Sequence, residues 1–313
     1  MHLTPLADSG LGVSPADVAA AFEPFVARQV DGQDPEWQRE INRRKQKILR
    51  NYLKHLLLGW LPAHQRRENA VVAEYTKAWQ QGEYAHYRLG AAPPRIGPWE
   101  WRGRRMFASD VGATRFRQLL LIRIIERLKP RSVLEVGCGN GINLILLSGR
   151  FPEIEFSGIE LTRQGRRAAT ELQKLPVLPP PMQEYAPLPL VDLTAFQRIR
   201  FLQGNAASLP FPDGSFDLVL TVLALEQMER ARHQVLGEIA RVARRHVLTL
   251  EPFRDVNDQG WPRRNVIRRN YFRGRIADLS AYGLEPTLAI DDFPQEIFLK
   301  ACAVLTAKRD QLK

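Results

Sequence analysis

Val133-Leu134-Glu135-Val136-Gly137-Cys138-Gly139-Asn140-Gly141 decides how this chain folds. A short apolar run breaks into three glycines at alternate positions, and the amphipathic run Ile142–Leu147 follows at once. The pattern predicts a buried parallel strand, a tight turn and a helix. Glycine lets the backbone come close to a ligand and adopt conformations closed to other residues. A strand, glycine turn and helix in that order cradle a nucleotide-like ligand at the mouth of an α/β sheet.

The spacing narrows the ligand. Gly137, Gly139 and Gly141 form G-x-G-x-G, whereas a dinucleotide fingerprint needs a glycine where Ile142 stands. The phosphate-gripping G-x-x-x-x-G-K-[ST] is absent. Glu135, two residues before the first glycine, suits a cationic amino or sulfonium group. These residues resemble motif I of the class I S-adenosylmethionine (SAM) methyltransferases, E/D-x-G-x-G-x-G.

Three further segments follow in the order such a fold demands. Glu155-Phe156-Ser157-Gly158-Ile159-Glu160 reads as a second strand ending in an acid. A carboxylate there suits a two-oxygen grip on ribose hydroxyls. The stretch Phe201–Val219, with Gly204-Asn205-Ala206-Ala207-Ser208-Leu209-Pro210-Phe211-Pro212-Asp213-Gly214-Ser215-Phe216-Asp217, closely resembles a signature of the ubiquinone/menaquinone-biosynthesis type of methyltransferases. The resemblance implies that Asn205 binds the adenine amino group, although Asp is commoner there, and that Ala206 supplies a backbone contact. His246–Pro252 reads as a fifth strand ending in Glu251.

The resemblance implies an α/β fold with a doubly wound, mostly parallel seven-stranded sheet. Its order is 3-2-1-4-5-7-6, with strand seven antiparallel. It covers residues 99–313, preceded by a helical N-terminal cap or extension over 1–98. The cofactor it implies is SAM, leaving S-adenosylhomocysteine as product. The expected cofactor site comprises Glu135, Gly137, Cys138, Gly139, Gly141, Glu160, Leu161, Asn205, Ala206 and Thr221.

Bulk properties agree with a globular protein. The chain has 313 residues, 44% hydrophobic content and two cysteines, too few for a disulfide framework. No apolar run reaches the ~18 residues a membrane span needs. Met1-His2-Leu3-Thr4-Pro5 lacks the basic and apolar regions of a secretory leader, so a cytoplasmic location is expected. The net charge of +11 favours anionic partners, with nucleic acid among them.

Upstream of the motif, Ala16–Val30 reads as a helix opened by Ser14-Pro15. Glu36–Trp60 continues helical, with Ile41, Ile48, Leu49, Tyr52, Leu53, Leu56 and Leu57 as an apolar stripe beside a basic face. The stripe is expected to pack on the catalytic domain rather than on a membrane surface. Glu68–Gln81 suggests another helix, and Leu89–Pro98 a linker. Arg115–Leu128 and Thr162–Leu175 read as core helices. Pro176–Pro189, with prolines at 176, 179, 180, 181, 187 and 189, reads as a loop. Phe253–Arg275 reads as a basic loop in which Trp261, Tyr271 and Phe272 interleave with arginines. That composition suits either single-stranded nucleic acid or an anionic small molecule. Leu288–Asp292 and Glu296–Thr306 supply the last two strands.

Candidate general bases are few. Asp110 precedes the first core helix and Glu251 ends the fifth strand, so both are candidates. After the fourth strand stands Leu225-Glu226-Gln227-Met228, where relatives often carry a histidine, and His233 reads as a surface residue. No N-P-P-[YF], Pro-Cys nucleophile, G-x-S-x-G elbow or Cys/His metal set is present. The reading is therefore a methyltransferase acting on a small or medium organic acceptor by O- or C-methylation. The alternatives are an RNA or protein methyltransferase gripping through the basic 253–275 segment, and a non-catalytic regulatory partner of the same fold.

Overall fold

The computed structural model describes residues 2–58 and 96–309. Helix α1 (Pro15–Phe22) begins with a capping box: the Asp17 amide donates to the Ser14 hydroxyl, and the Ser14 amide donates to the Asp17 carboxylate. The helix stops at Phe22, and strand β1 (Val26–Val30) follows a short turn. The 16–30 run is thus a helix and then a strand, not one helix. Helix α2 (Pro35–Leu58) starts one residue before the expected Glu36, and the expected end at Trp60 lies outside the described residues. Strands β2 (Ile96–Trp101) and β3 (Arg104–Ser109) form a hairpin through Arg102 and Gly103, both at positive φ (48° and 76°). Two such residues build the hairpin turn whose twist suits its strands. Ser109 then caps α3 (Asp110–Leu128), and Lys129, at φ 47°, ends it before Pro130.

The remaining elements are, in chain order, β4 (Ser132–Val136), α4 (Ile142–Arg150), β5 (Glu155–Glu160), α5 (Arg163–Leu172), α6 (Pro180–Tyr185), β6 (Arg200–Gln203), β7 (Phe216–Val222), α7 (Arg232–Val242), β8 (Ala243–Glu251), α8 (Gly260–Arg269), β9 (Leu284–Ile290), β10 (Gln295–Glu296) and β11 (Cys302–Lys308). The large sheet has order β6-β5-β4-β7-β8-β11-β9, with β11 antiparallel to both neighbours. Counted within that sheet, this is the expected 3-2-1-4-5-7-6. Strand alternation feeds both faces. Val133, Leu218 and Leu220 join the core under α3 and α4, while Leu134, Val136 and Val219 join the core under α7.

Three local expectations change. The proline-rich stretch contains α6, because Pro179, Pro180 and Pro181 occupy its cap and first turn, where a missing N–H costs nothing. Its buried Tyr185 hydroxyl donates to the Val111 carbonyl (2.6 Å). The basic 253–275 segment contains α8 rather than being loop throughout. The last strands lie at 284–290 and 302–308, shifted from the expected runs.

A second, four-stranded antiparallel sheet, β1-β3-β2-β10, was not anticipated. It joins the N-terminal region to the segment after β9, and residue 98, where the extension was expected to end, lies inside β2. Leu6, Leu11, Val18 and Phe22 share one core with α3 and the large sheet. Helix α2 packs along α8, with the Lys45 ammonium 5.9 Å from the Trp261 ring centre. Its apolar stripe divides: Ile41 and Ile48 are buried, whereas Leu49, Leu53, Leu56 and Leu57 are 43 to 72% exposed. The expected helix at 68–81 and most of the 89–98 linker lie outside the described residues.

Candidate active site

Parallel order puts the carboxyl ends of β4, β5, β6, β7 and β8 on one edge, where open α/β sheets bind ligands. At the tip of β4 the chain turns through Gly137, Gly139 and Gly141 at φ 77°, 55° and 78°. The Gly137 and Cys138 amides both donate to the Ile159 carbonyl (2.9 and 3.1 Å), so the turn is bolted to β5. Gly137 also needs its bare Cα for space, since a Cβ there would sit 2.5 Å from the Ala224 Cβ.

Two acids frame this turn. Glu135 is buried and accepts from Asn143 Nδ2 (2.6 Å), whose Oδ1 in turn accepts from Gln118 (2.7 Å). Its other oxygen has no hydrogen-bond partner among the described residues. Burial pushes its carboxyl up to about 8, with a smaller push from Glu160. Glu160 Oε2 accepts from the Gly139 amide (3.2 Å), and Oε1 takes the amide and hydroxyl of Thr162 (2.9 and 2.6 Å). Oε1 is thereby filled, and the expected two-oxygen grip on a ribose is reduced to what Oε2 has left. Cys138 is buried, and desolvation beside both acids holds its thiol well above the usual range, which removes it as a nucleophile.

Leu161 follows Glu160, partly exposed, and its carbonyl accepts from Gln203 (3.3 Å). Asn205 lies beyond β6 on the same edge, because the Gly204 amide donates to the Glu160 carbonyl (3.0 Å). Asn205 is exposed, its oxygen accepting from the Ala207 amide (2.8 Å), and Ala206 is buried beneath. Thr221, next to last in β7 and in register with Thr249, is fully buried at the carboxyl end of its strand, one register step beyond Glu135.

Above the glycine turn sits the short segment after the fourth strand, 223–228, in which the sequence offers no histidine. Leu223 leaves β7 at φ 52°, a conformation bulky side chains rarely adopt and one that marks functional turns. Residues 225–227 then form a single 3-10 turn, with Ala224 pressed on Gly137. Glu251 anchors it. One of its oxygens accepts from the Ala224 and Leu225 amides (3.0 Å each) and the other from the Glu226 amide (3.2 Å). With no exposed surface and three amides on its carboxylate, Glu251 is a positioning residue and does not face a pocket as a base. Asp110, the other candidate, is exposed in the first turn of α3, with Arg117 the charged group it influences. His233 is exposed and bonded to the Tyr282 hydroxyl (2.5 Å), as its surface reading implied.

The basic segment turns Tyr271 and Phe272 inward and leaves Trp261 half-buried. Tyr271 and Phe272 are buried, and Phe272 meets Phe253 edge-on at 5.3 Å. Trp261 is covered by the Arg264 guanidinium at 5.1 Å as well as by Lys45. The Nε atoms of Arg117, Arg268 and Arg269 are buried without a hydrogen-bond partner among the described residues. Burial, reinforced by Arg269, pulls Arg268 down to about 10.

Against this geometry, residues 134–248 match a family model described as a methyltransferase domain. By that match, those residues are a methyltransferase domain. Ajmaline N-methyltransferase of Rauvolfia serpentina is 28% identical over 121 residues, which are 37% of this chain and 33% of that protein. Phthiotriol/phenolphthiotriol dimycocerosates methyltransferase of Mycobacterium tuberculosis is 30% identical over 114 residues, 36% of this chain and 34% of that one. The chain therefore matches about a third of the length of these relatives. Geranyl diphosphate C-methyltransferase of Streptomyces coelicolor aligns over 75% of this chain and 97% of its own, at 11% identity and TM-score 0.48. The methyltransferase domain's own residues fit the cofactor. The orphaned, buried Glu135 oxygen suits an ammonium or another cationic donor, and the three glycines leave the backbone bare at the strand tip. No helix among the described residues is long and apolar enough to cross a membrane, and no group of His, Cys, Asp and Glu among them is arranged to hold a metal ion.

Proposed function

We propose that this protein moves the methyl group of SAM to a small or medium organic acceptor. The observation that carries the proposal is the strand-tip cradle, in which Glu135 keeps one buried oxygen without a partner beside three left-handed glycines. In this reading Glu135, Gly137, Gly139, Gly141 and Glu160 hold the amino acid and ribose parts of the cofactor, while Leu161, Asn205 and Ala206 border the adenine. Bound there, SAM supplies an electrophilic methyl on a sulfonium with a good leaving group. The work left to the chain is to orient the acceptor and exclude water.

The N-terminal region serves as the cap. Its α1 shares the domain core, and its α2 lies along α8, which follows the tip of β8 on the ligand edge. A cap of that kind favours an acceptor small enough to be enclosed. The burial of Tyr271 and Phe272 argues in the same direction, because a single-strand platform needs exposed ring faces, and of the three interleaved aromatics only Trp261 keeps one in part. Transfer to oxygen and transfer to carbon both belong to this reading.

The test is transfer of label from methyl-tritiated SAM into an extract of the source cells, split into RNA, protein and organic-soluble fractions, with Gly137→Asp as control. Label in the organic fraction that the control lacks is the expected result. Label in RNA or protein refutes the small-acceptor reading.

A further inference from the structure

We propose that Glu226 accepts the proton released by the methyl acceptor, and that the atom methylated is a protic heteroatom such as a hydroxyl oxygen. This deepens, and rests on, the transferase reading above. Glu226 belongs to the 3-10 turn that overlies the glycine cradle, as the packing of Ala224 on Gly137 and the nearby Met228 methyl require. It is 8% exposed. One oxygen accepts from the Gln227 side chain (2.8 Å), and the other is buried with no hydrogen-bond partner among the described residues. A carboxylate left in that state costs free energy unless something fills it. Filling it calls for a donor, and a protic acceptor group is one.

The surroundings favour a proton-transfer role over a structural ion pair. Arg117 on α3 and Arg269 on α8 act on Glu226 through space, yet no ion pair within 4.0 Å joins it to either among the described residues. Their own Nε atoms are buried and unpartnered too. Glu296 on β10 opposes its charged form, and Glu226 in turn pushes up the carboxyl of Glu251 on β8. Burial is the largest influence, and it lifts the carboxyl to about 7, where acceptance and return of a proton are both accessible near neutral pH. The strained Leu223 and the three hydrogen bonds that the 224–226 amides donate to Glu251 hold the turn, so the carboxylate is presented by a fixed backbone.

The step balances without another reagent. The acceptor X–H bond breaks and its proton passes to Glu226. The electron pair on X forms the bond to the methyl carbon, and the carbon–sulfur bond breaks with its pair to sulfur, leaving a neutral thioether. The proton later leaves to solvent.

The experiment measures label transfer from methyl-tritiated SAM into the organic-soluble fraction between about pH 5 and pH 9, together with SAM binding by titration calorimetry. The wild-type rate should rise with pH, reach half its maximum near 7 and level off above that. Glu226→Gln should lower the plateau by about 10²–10⁴-fold and abolish the rise, while SAM affinity stays within about twofold. Glu226→Asp should keep the rise at reduced rate. A Glu226→Gln variant that retains the wild-type rate and pH rise would overturn the assignment. So would a parallel loss of SAM affinity, which would make Glu226 a support of the cradle. Wild-type protein that binds SAM but labels no fraction would refute the transferase reading beneath it.

Discussion

Replacing Glu251 with alanine should unfasten the turn that roofs the glycine cradle. Glu251 has no exposed surface, and its carboxylate takes the amides of Ala224, Leu225 and Glu226. Leaving one buried amide without an acceptor costs about 1–3 kcal/mol, so three cost roughly 3–9 kcal/mol. Two effects work against the upper end. The substitution removes a buried acid that desolvation and Glu226 push up to about 8, and water can enter the space. We expect a net loss of about 3–5 kcal/mol, a large share of the stability of an ordinary domain. Glu251→Gln keeps the shape and an acceptor for Ala224 and Leu225, but sets an amide group against the Glu226 N–H. It should cost about 1–3 kcal/mol. Urea unfolding followed by circular dichroism measures both, with unchanged slope confirming that the folded state alone is affected. A Glu251→Ala loss below about 1 kcal/mol would refute the anchor role, because three orphaned buried amides cannot be that cheap.

Other outcomes follow from the same packing. Gly137→Ala forces a side chain onto φ 77° and a Cβ to within 2.5 Å of Ala224. It should cost about 2–4 kcal/mol and weaken SAM binding at least tenfold, read by urea midpoint and calorimetry. On α2, Ile48→Ala should destabilise by about 2–4 kcal/mol and Leu53→Ala by under about 0.5, since only Ile48 is buried; equal losses would contradict the divided stripe. Glu135 binds its proton more tightly folded than unfolded, so its contribution is complete below about 4.5 and is lost as pH rises through about 8. The urea midpoint should fall between about pH 5 and pH 8, and Glu135→Gln should flatten part of that slope, Glu226 and Glu251 sharing its direction.

What could be read from the chain was what is local. The alternation of apolar run, glycine turn and helix around Glu135 and Glu160 is written in adjacent residues, and the large sheet follows from it in order and direction. Strand β1 is not written that way. Val26-Ala27-Arg28-Gln29-Val30 is a strand because it pairs with β3, some eighty residues on, and pairing of that kind leaves no periodicity to find. The β2–β3 hairpin did leave a signal, Arg102-Gly103 between alternating tryptophans and Met106, just past the run read as a linker, 89–98. Glu251 was visible as an acid at a strand end, but three amides from another segment decide that it anchors and does not face a ligand. Glu226 was in plain sight after the fourth strand, and only its burial and its empty oxygen distinguish it from a surface acid.

The central claim is that the β4 and β5 tips hold SAM, and equilibrium titration of the purified chain with SAM tests it most directly. The account predicts one site per chain, lost in Gly137→Asp and weakened about tenfold or more in Glu160→Ala, because Glu160 fixes the Gly139 amide and keeps one free acceptor position on Oε2. A wild-type protein that takes up no SAM, or a Glu160→Ala variant that binds it as tightly as the wild type, would contradict it.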